Sequence, residues 1–129
     1  MVVDAMIVAL GGNDYLRGIP PEVSRANLRG ILEKAQAADV DVLLVGLVVG
    51  SNYGLVYKQE FESMYADLAA EFDVTLYPSF FAGLRAVSGM EEGFSDFMQA
   101  DGIHPNADGV AAIVSALGPT VAALAAGAD

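Results

Sequence analysis

The spacing of the apolar runs constrains this chain more than any other feature. Val2 to Leu10 (VVDAMIVAL) and Val40 to Val49 (VDVLLVGLVV) are almost unbroken stretches of aliphatic residues. A strand with one wet face alternates apolar and polar positions, whereas near-continuous runs suit parallel strands covered on both faces. Between them, Pro20-Pro21 opens a helix whose apolar stripe is Leu28, Ile31, Leu32 and Ala35. Tyr57, Phe61, Met64, Leu68 and Phe72 recur every three or four residues and predict a second long helix. Val74 to Tyr77 reads as a short third strand stopped by Pro78, and Ala107 to Ala126 as a closing helix that Pro119 kinks or breaks. From Ser79 to Gln99 the period is lost, so short helical turns and a mobile loop are expected there. The alternation predicts an α/β domain with a parallel sheet between helices and a site along the C-terminal ends of the strands.

Charge and composition remove several functions. The net charge is −11, from 17 acidic residues against 6 Lys plus Arg. Such a surface repels phosphate backbones and anionic headgroups, so no nucleic-acid partner is expected. The run Val42 to Val49 is too short to span a bilayer, and the apolar closing helix lacks a cationic face, so no stable membrane insertion is expected. No cysteine is present and His104 is the only histidine, which excludes thiolate chemistry and leaves a metal only carboxylates. No cofactor and no metal are expected. The compartment is not legible.

Two short stretches fall where a site belongs. Leu10-Gly11-Gly12-Asn13-Asp14 follows the first strand. Its glycines permit a tight turn, and the Asn13 amide can face a developing oxyanion; the same residue types also make ordinary turns. Asp101-Gly102-Ile103-His104-Pro105-Asn106 precedes the closing helix. Any imidazole base must be His104, and Asp101, three residues earlier, can curl back to hold one ring nitrogen. A loop histidine beside a helix-capping Asn fits that stretch equally well. Lys34 and Lys58 read as solvated, and Tyr53 with the Phe80-Phe81 pair as core rather than pocket.

Taken together, Gly-Gly-Asn-Asp after a buried strand and Asp-Gly-Ile-His-Pro-Asn before the last helix resemble blocks III and V of the SGNH (GDSL-type) hydrolases. Leu16-Arg17-Gly18, Asn52-Tyr53-Gly54 and Glu71-Phe72-Asp73-Val74 resemble its thioesterase I/lysophospholipase L1 and arylesterase branch. The resemblance implies a three-layer α/β/α, flavodoxin-like fold and hydrolysis of a small carboxylic ester or thioester through a serine acyl-enzyme. It implies Asn13 as the oxyanion-hole residue, His104 as base, Asp101 as its orienting acid, and Gly12 as room for the acyl group, with Asp14 anchoring the turn.

The family's Gly-Asp-Ser nucleophile motif and block II glycine have no counterpart here. In that family both lie upstream of the Gly-x-Asn-Asp strand, so the chain is expected to be the C-terminal portion of the domain and inactive alone. Its serines, at 24, 51, 63, 79, 88, 95 and 115, are expected at solvated positions, with Ser51 and Ser79 the nearest to substitutes. The family's sheet order, 2-1-3-4-5, would leave Val2 to Leu10 an open edge. That edge is expected to pair with a second copy, as a homo-oligomer, or with the N-terminal segment. A non-enzymatic self-associating module and a carbohydrate acetylesterase are the alternative readings.

Overall fold

The computed structural model describes residues 2–88 and 91–127. Three short parallel strands, β1 (Ala5–Val8), β2 (Asp41–Val45) and β3 (Thr75–Tyr77), lie in the order β1-β2-β3. Ala5 pairs with Asp41 and Val8 with Leu44; Leu43 pairs with Thr75 and Val45 with Tyr77. Helices α2 (Pro21–Ala37) and α3 (Leu55–Phe72) connect the strands, and α6 (Ala107–Gly127) closes the chain.

The strands are shorter than the apolar runs because a strand ends where its partner does. Pro78 stops β3, and beyond it the Gly46 N–H donates to the Tyr77 carbonyl at 2.8 Å while the Gly46 carbonyl accepts from Phe80 N–H at 2.9 Å. A Cβ on Gly46 would lie 2.5 Å from the Pro78 carbonyl oxygen, so glycine is required for this close approach. The chain then leaves the sheet, and Leu47 to Gly50 form a loop at its rim.

Successive residues of β2 point to opposite faces. Val42 and Leu44 join Val8, Leu28, Leu32, Phe61, Met64 and Leu68 in a core beneath α2 and α3. Leu43 and Val45, also buried, face the other way, where α6 packs over β2. The result is three layers with a parallel centre. Arg25–Asp67 and the two-pronged Arg29–Glu71 pair tie α2 to α3 at the surface. Exposed pairs of this kind contribute less than the core beneath them.

The expected irregular stretch resolves into α4 (Ala82–Ser88), α5 (Glu91–Phe94) and a 3₁₀ turn at Ser95–Phe97. Gly89 and Met90, within the Ser79–Gln99 stretch, lie outside the described residues. A second small core of Leu84, Met98 and Ile113 joins this region to α6, with Phe80, Phe81 and Phe94 against it.

Of the two outcomes expected at Pro119, the break does not occur. Helix α6 runs through it for 21 residues. Proline removes one helical N–H, but Pro119 and Ser115, the residue a turn earlier, are both exposed, so water can serve the freed carbonyl. By length and composition this helix is apolar enough to cross a membrane, at a mean hydropathy of 1.9. Here α6 packs on α4 and β2, with 11% of that apolar stretch buried.

Candidate active site

The Gly-Gly-Asn-Asp stretch turns directly from β1 into a five-residue helix, α1 (Gly12–Leu16). The turn depends on Gly11, whose φ is +124°; a Cβ there would lie 2.1 Å from the Tyr65 hydroxyl. That hydroxyl donates to the Leu10 carbonyl at 2.7 Å. Burial pushes the Tyr65 phenol far up, and the nearby Asp14 charge adds to it, so the group stays a donor.

Tyr65 belongs to a ladder. Tyr53, Tyr57, Phe61 and Tyr65 follow at intervals of four, with neighbouring ring centroids 5.0, 5.9 and 6.0 Å apart. Three of the four end in hydroxyls that donate to carbonyls of the α1 segment. Tyr65 serves Leu10, Tyr57 serves Ile19 at 2.7 Å, and Tyr53 serves Leu16 at 3.1 Å. Tyr15 accepts from Gly50 N–H at 3.1 Å and so links α1 to the loop after β2. Helical spacing gave the helix that carries Tyr57, but nothing local announced these bonds, which join residues 37 to 55 positions apart.

Two expectations fail here. Tyr53 is 47% exposed and is not core; its ring lies over the α1 segment. Lys58 is not simply solvated. Its ammonium donates to the Val49 carbonyl at 2.7 Å and pairs with Glu62, which itself accepts from Val49 N–H at 2.9 Å. The i,i+4 pair therefore holds both polar groups of one loop residue.

The Asp101–Asn106 stretch is held from within. Asp101 Oδ1 accepts the N–H groups of Ile103 and His104 at 2.9 and 3.0 Å, and Oδ2 lies 2.6 Å from His104 Nδ1. The His104 ring bond, followed by the two backbone donors, pulls the Asp101 carboxyl down to about 2. An ionised carboxylate only accepts, so Nδ1 carries a proton, and in the neutral ring the lone pair is then on Nε2. Gln99 N–H donates to the His104 carbonyl at 2.7 Å, and Asn106 caps α6 by accepting from Gly109 N–H at 3.0 Å.

The two stretches meet at one rim of the sheet. A cleft of about 750 Å³ is lined by Gly12, Asn13 and His104 together with Leu28, Leu47, Val48, Phe80 and Phe81. This volume falls in the ordinary range for small-molecule sites, and its walls are largely apolar. Asp101 does not line it; it holds the far side of the His104 ring. Gly12 leaves open space, with no atom within 4 Å of where a Cβ would sit. Phe80 and Phe81, expected as core, serve both the second core and the cleft wall.

The serines divide. Ser51 and Ser79 do not line the cleft, and Ser79 accepts from Arg85 at 3.0 Å. Ser24, expected in solvent, is 1% exposed and donates to Asp14 Oδ2 at 2.6 Å. Its hydroxyl is committed to that carboxylate. Among the described residues no cluster of metal-ligating side chains is found.

Known proteins resemble this chain in sequence and fold. The chain is 43% identical over 105 residues to thioesterase 1/protease 1/lysophospholipase L1 of Escherichia coli, an alignment covering 80% of this chain and 46% of that protein. It superposes on the crystal structure of TesA with a TM-score of 0.75 and 36% identity, covering 92% of this chain and 62% of that one. It also superposes on AlinE4, an SGNH-hydrolase family esterase, with a TM-score of 0.66 and 42% identity, covering 92% and 59%. The chain thus spans about half the length of the first of these relatives. Residues 2–112 match the model of the GDSL-like lipase/acylhydrolase family, and the chain belongs to that family.

Proposed function

We propose that this chain carries the oxyanion and acid–base half of a serine ester hydrolase, acting on carboxylic esters or thioesters, with the nucleophilic serine supplied by residues outside it. The observation that carries the reading is the shared cleft. Asn13 and His104 line one apolar cavity, and the His104 ring is bonded to Asp101 on its far side. A serine hydroxyl beside Nε2 of His104 loses its proton to that nitrogen as it attacks the ester carbonyl. Asp101 stabilises the imidazolium, and the proton then passes to the leaving alkoxide or thiolate. The Asn13 amide donates to the tetrahedral oxyanion, a contact worth about 3 kcal/mol in comparable sites. Gly12 leaves the acyl group room. No step calls for a metal or cofactor.

The test is a panel of aryl acetates, longer acyl esters and acyl-CoA, assayed on the 129-residue chain and on the chain extended by its upstream coding residues. The expected result is little turnover by the former and clear turnover by the latter, with Asn13→Ala lowering kcat about 10²- to 10³-fold. Turnover by the 129-residue chain that His104→Ala abolishes, with phosphonate labelling of Ser51 or Ser79, would overturn it.

We further propose that the outer edge of β1 pairs with another strand, from a second copy or from the upstream residues. Ile7 is 46% exposed on a strand whose other edge bonds β2. Unpaired strand edges recruit partners. Sedimentation of the 129-residue chain at micromolar concentration is expected to show association, and a monodisperse monomer would rule out pairing with a second copy.

A further inference from the structure

Helix α1 cannot hold itself in place. It has five residues, none of them buried, and no side-chain cap. Helices this short are far below the length that is stable alone. The tyrosine ladder fixes carbonyls at the borders of this segment, at Leu10, Leu16 and Ile19. The residue next to Asn13 is held differently. Asp14 receives the Ser24 hydroxyl at 2.6 Å, from the first turns of α2. Ser24 is the buried polar side chain of the described residues, and burying a hydroxyl without a partner is costly. A short bond to a carboxylate is among the stronger hydrogen bonds a hydroxyl can make.

We propose that Ser24 is a positioning residue: through Asp14 it fixes the α1 turn and so aims the Asn13 amide into the cleft. The inference rests on reading Asn13 as the oxyanion donor, but its first test does not. The amides of Arg17 and Ile19 donate to the carbonyls of Asn13 and Asp14, each at 3.0 Å. In the 129-residue chain, Ser24→Ala is expected to speed their exchange by about tenfold relative to the β2 amides, measured by NMR. Uniform acceleration would mean that Ser24 only adds global stability, and no acceleration that it holds nothing in place; in either case the proposal falls. If Ser24→Ala does not fold, Asp14→Asn keeps the shape and weakens the bond, and the same local contrast decides.

The second test uses the longer protein carrying the nucleophile. Ser24→Ala is expected to lower kcat about tenfold with KM changed less than about twofold, and to add nothing to Asn13→Ala. Additive losses would overturn the link to Asn13. If Asn13→Ala itself leaves kcat unchanged, the reading of the site fails, while the exchange data still decide whether Ser24 holds the turn.

Discussion

The two segments that meet at the cleft are fixed in opposite ways. The Asp101–Asn106 loop closes its bonds over two to ten residues and stands largely in solvent, with the side chains of His104 and Asp101 68% and 41% exposed. The Gly11–Ile19 segment is held by Ser24, Tyr53, Tyr57 and Tyr65, from 10 to 55 positions away. A locally closed loop keeps its geometry even when the domain around it loosens. A segment tethered across the fold keeps its geometry only while the fold is intact. Damage to the core should therefore reach Asn13 before it reaches the Asp101–His104 pair.

The largest expected effect tests the chemistry of the loop. In the protein extended by its upstream residues, His104→Ala should lower kcat on aryl esters by about 10⁴-fold or more, with the melting temperature little changed. A change in stability comparable to that of a core mutation would break the contrast, because it would show the exposed loop to be tied into the fold.

Gly11→Ala should do the reverse. The new methyl combines a positive φ with collision against the Tyr65 hydroxyl, and urea unfolding of the 129-residue chain should show a loss of about 2–4 kcal/mol. Combining it with Tyr65→Phe sharpens the point. Removing the hydroxyl relieves the collision, so the double variant should lose less than the sum of the two. Full additivity would refute this geometry.

Tyr65→Phe alone removes one buried hydrogen bond to the Leu10 carbonyl and should cost about 1 kcal/mol in the same measurement. A neutral result would mean that the Leu10 carbonyl finds another donor.

The smallest effect is the pH response of the loop. The Asp101 carboxyl lies near 2, below its ordinary 3.8, because His104 and two backbone N–H groups bond the charged form. A lowered carboxyl contributes stability that is present above the ordinary value and is lost as pH falls toward 2. The titration midpoint of the Asp101 carboxyl carbon by NMR should accordingly sit near 2, and His104→Ala should move it upward. A midpoint near 3.8 in the unaltered chain would mean that the loop is open in solution.

This contrast also explains which features were readable from the residues. Asp101-x-x-His104 with a following Asn is a local pattern, and its geometry is set by the bonds within it, so the sequence reveals it. The apolar runs and the period of α3 give the layers, because burial on two faces or one leaves a different periodicity. Lys58 and Ser24 depart from expectation for one shared reason. A lysine and a serine are polar enough for solvent, and only their partners, Val49 with Glu62 and Asp14, decide otherwise. Tyr53 departs the opposite way: an aromatic ring suits a core, but its hydroxyl reaches the Leu16 carbonyl at the surface. Pro119 does not break α6 because its cost falls on a surface turn, where water meets it.

The sequence by itself determined the parallel α/β order, the family and the Asp101–His104 pair, since each depends on periodicity or on residues within a few positions of one another. Tertiary structure alone decided where the strands stop, which serine is buried, and what holds Asn13 at the rim. Those outcomes depend on groups brought together across tens of residues, and the energy of a hydrogen bond belongs to both partners, neither of which carries a mark of the other.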